Sequence, residues 1–307
     1  MQTKQQLPSA APVATSITHV HLRACLKTEL SKQASPSAQE GRTRILDAGC
    51  GNGTLLSYLQ GCLEAENRAD AFELFGFDVA DHGVQGAGFM DRTQALLSEQ
   101  WASIDWAQRL RVIDASQSWP FDSSQFDAVV SNQVLEHVHD HKHFFSECWR
   151  VLKDGGVSFH LFPLKHYIYE GHLNLPWVHR IRSHDLRTAY ISLLSRIGLG
   201  KFSEAHRKTG VALADFAAAH ADYMAFWTNY LSESEMLDCA RSVGFRASFR
   251  YTPEFYEQKL RRVLARETKD LYEDSSRSLW DSTATKLLRY VSSVTLTLIK
   301  KNAYALK

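Results

Sequence analysis

Residues 45–53 read Ile45-Leu46-Asp47-Ala48-Gly49-Cys50-Gly51-Asn52-Gly53, and this stretch predicts more about the fold than any other. A β-branched and aliphatic run ends in an acid, three glycines follow at alternate positions, and a helical pattern begins at Thr54. Such a turn requires glycine where the backbone needs a positive φ or where a ligand approaches it closely, because a Cβ forbids both. The stretch therefore predicts a strand, a tight turn and the start of a helix, with the turn open to a ligand.

The spacing of the glycines separates three interpretations of this turn. The fingerprint that binds dinucleotides is Gly-x-Gly-x-x-Gly, whereas here the third glycine, Gly53, comes one residue early. Asp47 is also unfavourable beside a pyrophosphate, but it suits a cationic ligand such as a sulfonium amino acid. A glycine-rich turn without a ligand is the third interpretation. The stretch resembles motif I of the class I methyltransferases that use S-adenosylmethionine.

The composition is that of an ordinary globular chain. Of its 307 residues, 44% are hydrophobic and 22% are charged, which is enough for one large α/β domain with insertions. Its 35 basic and 34 acidic residues leave a net charge of +1, so general binding to nucleic acid is not expected. The five cysteines form no Cys-x-x-Cys pair and are expected to be reduced thiols of a cytoplasmic protein. We expect neither a transmembrane helix nor a secretory signal.

Strand and helix patterns alternate along the chain, which is typical of a parallel, doubly wound sheet. The predicted strands are 43–48, 72–77, 110–113, 126–131, 157–162, 245–251 and 294–299, and the main predicted helices are 18–32, 54–64, 232–242 and 255–275. A turn at Lys153–Gly156 is predicted before the fifth strand. The pattern at 294–299 fits a last, antiparallel strand better than a helix lying on a membrane, which would show a period of 3.6. The predicted fold class is α/β, with a mostly parallel, Rossmann-like sheet of seven strands and a helical cap insertion.

Acidic residues follow two of these strands. Ligands of open α/β sheets bind outside the carboxyl ends of the strands. Asp78, after the second strand, can accept hydrogen bonds from both hydroxyls of a ribose, and Asp114 with Ala115, after the third, lies where an adenine amino group would be. The alternatives are a helix cap for Asp78 and an ordinary turn residue for Asp114.

Two further segments strengthen the resemblance to class I methyltransferases. Phe126–His137 resembles the fourth-strand motif of that superfamily, and Arg150–Gly156 resembles the loop before its fifth strand. The resemblance covers 43–163, is closest to a bacterial group of small-molecule methyltransferases, and implies S-adenosyl-L-methionine as the cofactor. The residues that it assigns to the cofactor are Asp47, Gly49, Cys50, Gly51 and Gly53 for the amino-acid moiety, Asp78 and Val79 for the ribose, Asp114 and Ala115 for the adenine, and Ser131 and Asn132 for the methionine portion.

Histidines supply candidates for a catalytic base. A hydroxyl acceptor benefits from a base, whereas an amine or a carboxylate needs less help. His137 directly follows the fourth strand and is the first candidate for a base or a substrate-orienting group, with a packed histidine bonded to backbone as the alternative. His137, His139, His141 and His143 form i,i+4 pairs on a helix, but no carboxylate constellation accompanies them, so no metal site is predicted.

A long insertion, Leu164–Tyr230, separates the fifth strand from the next helix. It interleaves aromatic residues with His and Arg, which suits a polar or anionic, ring-bearing substrate such as a sugar or nucleotide-sugar; a dimer interface with a basic rim is the alternative. Tyr169 and His172 are its predicted catalytic residues. The predicted division is 1–40 (tail, helix and linker), 41–164 (cofactor core), 165–231 (cap) and 232–307 (completion of the sheet, with a charged helix).

The sequence thus predicts methyl transfer from S-adenosylmethionine to a small or glycan-like acceptor, at oxygen or nitrogen. The expected partner is a small molecule, with a homodimer as a further expectation, and neither nucleic acid nor stable membrane insertion is expected. One alternative is a lipid or quinone precursor, which would predict an apolar cap with few arginines. Another is a regulatory protein that binds the cofactor without turnover.

Overall fold

The structure, a computed structural model, describes residues 16–33, 41–80, 86, 88–273 and 278–301. The tail predicted before the first helix and most of the linker predicted after it lie outside these residues.

The strands, in chain order, are β1 (Thr43–Ala48), β2 (Phe72–Val79), β3 (Leu110–Ile113), β4 (Phe126–Asn132), β5 (Leu152–Phe162), β6 (Tyr169–Glu170), β7 (Leu175–Pro176), β8 (Arg246–Ser248) and β9 (Val294–Ile299). Seven of them form one sheet in the order β3-β2-β1-β4-β5-β9-β8, and β6 and β7 form a separate hairpin. The first five strands are parallel, and β9 runs antiparallel between β5 and β8. The predicted mostly parallel, seven-stranded sheet is confirmed.

The helices, in chain order, are α1 (Ile17–Gln33), α2 (Thr54–Ala65), α3 (Phe89–Gln100), α4 (Trp106–Arg109), α5 (His141–Val151), α6 (His184–Arg196), α7 (Phe202–Thr209), α8 (Leu213–Phe226), α9 (Glu233–Ser242), α10 (Thr252–Val263) and α11 (Ser278–Leu288). Side chains of α1, α2, α3 and α10 pack in the core on one face of the sheet, and those of α5 and α9 in the core on the other. Neighbouring residues of β4 supply opposite cores: Val130 lies in the first and Val129 in the second. Burial on both faces explains why these strands are almost continuously apolar.

Three sequence predictions are wrong in detail. The predicted turn Lys153–Gly156 lies inside β5, where the register against β4 shifts between Phe126 and Ala128, and Gly155 has φ 77°. This shift accommodates the extra residues as a bulge within a continuous strand. The predicted sixth strand, 245–251, is shortened to Arg246–Ser248, and the predicted helix 255–275 begins earlier, at Thr252, and ends at Val263.

The insertion after β5 folds around a small core of its own. Leu173 and Leu175 of the hairpin segment pack with Ile191 of α6 and with Phe216 and Met224 of α8. The chain then returns to the sheet through α9, whose predicted start is confirmed by a capping box between Ser232 and Glu235.

None of the helices in the described part of the chain is long and apolar enough to span a membrane.

Candidate active site

A cavity of about 1070 Å³ lies at the carboxyl ends of β1, β2 and β4 and beneath the inserted cap. The glycine turn lines one end of it and cap residues line the other. Of the residues predicted to bind cofactor, those along the cavity wall are Asp47, Gly49, Cys50, Gly51, Asp78, Val79, Ala115 and Asn132. Of the predicted catalytic residues, His137 and His172 line it, but Tyr169 does not.

The backbone of the glycine turn is held against the end of β2. The N–H groups of Gly49 and Cys50 both donate to the carbonyl oxygen of Phe77, at 2.8 and 3.0 Å. Gly49 has φ 82°, and a Cβ on it would lie 2.5 Å from a methyl group of Val134. Conformation and space therefore both require glycine there.

Gly53, which the resemblance assigns to the amino-acid moiety of the cofactor, is not among the described lining residues. It has φ 73° and forms the N-cap of α2. A Cβ on it would lie 2.8 Å from the side chain of Leu97 on α3. It permits close packing of α3, whereas the two preceding glycines form the cavity wall.

Asp47 is a buried carboxyl group with an unsatisfied oxygen. The residue is 2% exposed and lines the cavity, and its Oδ1 has no hydrogen-bond partner among the described residues. Burial, together with the charge of Asp78, raises the pKa of Asp47 to about 8. A buried acceptor without a donor is costly, so this position fits a ligand that brings a cationic donor, such as the ammonium group of a sulfonium amino acid.

Asp78 is fixed at the end of β2 by two backbone donors. Its Oδ2 accepts from the N–H of Gly51 at 2.6 Å, and its Oδ1 accepts from the N–H of Val79 at 2.7 Å. These bonds hold the carboxylate at the edge of the cavity beside the glycine turn, where it can accept from the hydroxyls of a ribose.

The wall beyond Asp78 is apolar and includes residues that the sequence analysis missed. Phe77, Ile113 and Trp119 line it together with Ala115, and the rings of Phe77 and Trp119 lie 4.7 Å apart. Asp114 is exposed and lies outside this wall. Trp119 follows β3 in the sequence, but periodicity gives no sign that the chain folds it back over this end of the cavity.

Ser131 and Asn132 point into different surroundings. Asn132 lines the cavity, and its Nδ2 donates to Thr18 Oγ1 at 3.1 Å, which links β4 to α1. Ser131 is buried outside the cavity wall, with its Oγ 2.8 Å from His160 Nδ1. Successive side chains of a strand face opposite sides of the sheet, so both cannot point into the same space.

The cap end of the cavity contains a histidine oriented by a carboxylate. His172 Nδ1 forms a short hydrogen bond with Glu170, which is 1% exposed. Glu170 also accepts from the hydroxyl of Tyr230 at 3.0 Å and from the N–H of Leu173 at 2.8 Å. Burial raises the pKa of Glu170, but the hydrogen bonds and charge of His172 outweigh it and leave that pKa below its ordinary value. The ionised carboxylate fixes His172 with Nδ1 as the donor.

His137 lies next to this pair. Its ring centre is 5.0 Å from that of His172, and its Nδ1 donates to the carbonyl oxygen of Trp227 at 2.7 Å. The N–H of Asn229 donates to the carbonyl oxygen of Glu136 at 2.6 Å. Two hydrogen bonds therefore join the segment after α8 to the turn that follows β4.

Glu136 is a cavity residue that sequence reasoning missed. It is 2% exposed, and its Oε2 has no hydrogen-bond partner among the described residues. Burial, with a contribution from the charge of Glu170, raises its pKa to about 8. Its position directly before His137 was the available signal, because a short turn after a strand end brings consecutive residues to the same site.

The cap supplies tyrosine and histidine side chains to the cavity, and its arginines lie elsewhere. Tyr223 and Tyr230 line the cavity, and burial raises the pKa of both hydroxyls, that of Tyr223 to about 12. Arg187 donates instead to the backbone carbonyls of Ile181 and Ala221. Lys201 is the one Lys or Arg side chain among the described lining residues. Tyr169 is 56% exposed and is not brought to the site.

The alternating histidines separate in the structure. His139 and His143 line the cavity, whereas His141 is buried and bonded to the carbonyl oxygen of Leu135 at 2.8 Å. Within the part of the chain that is described, no group of three or more His, Cys, Asp or Glu side chains is arranged to hold a metal ion.

Comparison with known proteins gives a family match for the core. Residues 46–159 match the family described as "Methyltransferase domain". The human mitochondrial ubiquinone biosynthesis O-methyltransferase is 32% identical over 128 residues, which are 40% of this chain and 31% of the human protein. A Mycolicibacterium smegmatis protein, described as a probable S-adenosylmethionine-dependent methyltransferase, is 50% identical over 38 residues, 12% of this chain and 15% of that protein. The chain thus aligns with about a third or less of the length of these relatives.

Among solved structures, phosphoethanolamine N-methyltransferase 2 of Haemonchus contortus, in complex with S-adenosyl-L-methionine, is 15% identical. It aligns over 89% of this chain and 52% of its own, with a TM-score of 0.42. Residues 46–159 are thus similar to the methyltransferase-domain family, and the seven-stranded sheet and the glycine turn with its two carboxylates agree with that similarity.

Proposed function

We propose that the protein transfers a methyl group from S-adenosylmethionine to a hydroxyl group of a small aromatic acceptor. The observation that carries this proposal is the Glu170–His172 pair, because His172 lines the same cavity as the glycine turn.

The cofactor would lie along the core end of the cavity. Asp47 and the backbone of the glycine turn would hold its amino-acid moiety, and Asp78 its ribose. Ala115 and the ring of Trp119 would contact the adenine. The unsatisfied Oδ1 of Asp47 supports this assignment, because a cationic ammonium group is the donor that it lacks.

The acceptor would lie at the cap end, between His172, Tyr223 and Glu136. Bound S-adenosylmethionine supplies an electrophilic methyl carbon. His172 Nε2 accepts the proton of the acceptor hydroxyl as the new C–O bond forms and the S–C bond breaks, and Glu170 stabilises the imidazolium. Such a base is typically worth about 10²–10⁴-fold in rate, and alignment of the acceptor can contribute on the order of 7–11 kcal/mol.

Two observations favour a phenol over a sugar. The cap end of the cavity is lined by aromatic rings, and no arginine is among the described lining residues. A phenol has a pKa of about 10, so histidine can deprotonate it far more readily than an aliphatic sugar hydroxyl. The structure therefore gives less support to a glycan-like or anionic acceptor than the sequence did.

A quinone precursor is one acceptor of this class. An apolar cap with few arginines is what this alternative predicts; the described cavity wall has no arginine, although its cap end also carries polar histidine and tyrosine side chains. The human relative carries the name of a ubiquinone biosynthesis O-methyltransferase, which favours the same alternative.

The experiment is a turnover assay of the purified chain with S-adenosylmethionine and matched acceptors: phenols, aliphatic alcohols or sugars, and amines. Mass spectrometry of the products identifies the methylated atom. We expect turnover of phenols, its loss in His172→Ala, and wild-type turnover in His206→Ala, whose histidine is exposed on α7 outside the cavity. Turnover of amines alone would refute O-methylation, and cofactor binding without any turnover would favour the regulatory alternative.

A further inference from the structure

The outer face of α6 bears an exposed apolar stripe. Leu186, Leu193 and Ile197 are 66%, 58% and 66% exposed. Their spacings of seven and four residues place them on one side of a helix with 3.6 residues per turn. The opposite side, with Ile191 and Ser195, is buried against the cap. Large aliphatic side chains aligned on an outer helix face indicate an interaction surface.

Basic side chains flank this stripe. Arg182 precedes α6, Arg196 lies in its last turn, and both are exposed without an ion pair to any residue that the structure describes. Arg207 and Lys208 follow on α7, where Lys208 pairs with Glu204 at 2.6 Å, and Asp185 is the acidic residue of α6. An apolar face bordered by positive charge matches the surface of a membrane that contains anionic lipids.

We propose that the outer face of α6 docks on an anionic lipid surface, adsorbed at the interface without crossing it. A second copy of the chain fits less well, because a two-fold contact would bring the same basic borders together. The docked face is also continuous with the acceptor site. α6 packs on α8, and α8 supplies His220 and Tyr223 to the cavity wall.

The test is sedimentation of the full chain with vesicles of phosphatidylcholine alone or mixed with phosphatidylglycerol. We expect binding to the mixed vesicles that weakens with added salt. The double variant Leu193→Ser/Ile197→Ser should bind roughly tenfold or more weakly. The matched control is Val263→Ser/Leu264→Ser, which removes two exposed aliphatic side chains, 81% and 61% exposed, from the end of α10. Arg182→Gln/Arg196→Gln should weaken binding to the mixed vesicles and flatten its salt dependence.

The proposal is overturned if the wild-type chain does not bind mixed vesicles, or if the α6 and α10 double variants bind them equally. It is also overturned if analytical ultracentrifugation shows a dimer that the α6 variant dissociates, because the stripe would then be an interface between copies. Retention of S-adenosylhomocysteine binding by the α6 variant shows that its fold is intact.

Discussion

The N–H of Gly51 donates to Asp78 Oδ2 at 2.6 Å, across 27 residues of sequence. The bond joins the turn after β1 to the end of β2. A single contact thereby unites the two parts of the predicted cofactor site, and loss of the Asp78 carboxylate should disturb both.

We predict that Asp78→Ala weakens binding of S-adenosylhomocysteine by about 1.5–3 kcal/mol, the cost of losing a charge-assisted hydrogen bond. Calorimetry measures this loss. His206→Ala, on the exposed surface of α7, is the control and should bind like the wild type. Wild-type affinity in Asp78→Ala would contradict the ribose assignment.

The buried carboxyl of Asp47 should make the ligand-free protein sensitive to pH. Its pKa rises from an ordinary 3.8 to about 8 because of burial and the charge of Asp78. The folded state therefore keeps a proton that the unfolded chain releases, so this contribution to stability is present below about pH 4 and is lost as the pH rises through about 8. Asp47→Asn should flatten the decline in melting temperature with pH and weaken S-adenosylhomocysteine binding. An unchanged decline would show that Asp47 is ionised in the folded protein.

His172 and His137 can be distinguished as bases by their pH profiles. The wild-type rate should fall at low pH, because the base must be deprotonated to accept the proton. His172→Ala should lose about 10²–10⁴-fold in kcat and also lose this acidic limb. His137→Ala should keep the limb, because we assign His137 a positioning role through its bond to the Trp227 carbonyl. The reverse pattern would make His137 the base.

Glu136 should act in the cavity as a neutral carboxylic acid. With its pKa raised to about 8 by burial, it is mostly protonated at neutral pH and can donate a hydrogen bond to the acceptor. Glu136→Gln should therefore keep the KM for the acceptor within a few-fold, whereas Glu136→Leu, which cannot donate, should raise it about tenfold or more. The affinity for S-adenosylhomocysteine should stay the same in both variants. Equal KM values for the Gln and Leu variants would exclude a contact with the acceptor.

The steric requirement at Gly49 can be separated from its backbone conformation. Gly210 has φ 71°, and a Cβ on it would meet no other group within 4 Å, whereas a Cβ on Gly49 would lie 2.5 Å from Val134. Gly210→Ala should cost about 1–2 kcal/mol, for the left-handed conformation alone. Gly49→Ala should cost more in urea unfolding and should abolish cofactor binding. Equal costs would mean that Val134 moves aside freely.

Local patterns in the sequence determined the sheet and the cofactor end of the site. Apolar runs and the spacing of the glycines predict β1, the glycine turn and the start of α2. These features are local, because a tight turn depends on residues within a few positions of one another. The start of α9 could also be predicted from the sequence, since its capping box joins Ser232 to Glu235, only three residues away. The positions of Asp47, Asp78 and Asp114 near the carboxyl ends of the first three strands then suggested the cofactor site, because ligands of such sheets bind at these ends.

Only the tertiary structure showed which residues line the end of the cavity where we propose that the acceptor binds. Glu136 and His137 come from the turn after β4, Glu170 and His172 from the hairpin segment, and Tyr223 and Tyr230 from α8 and the loop after it. Their meeting depends on how the cap packs over the sheet, and periodicity carries no information about such long-range contacts. The same packing directs Arg187 to backbone carbonyls and leaves Tyr169 on the surface, so a cap whose sequence looked basic contributes mainly tyrosine and histidine side chains to the cavity wall.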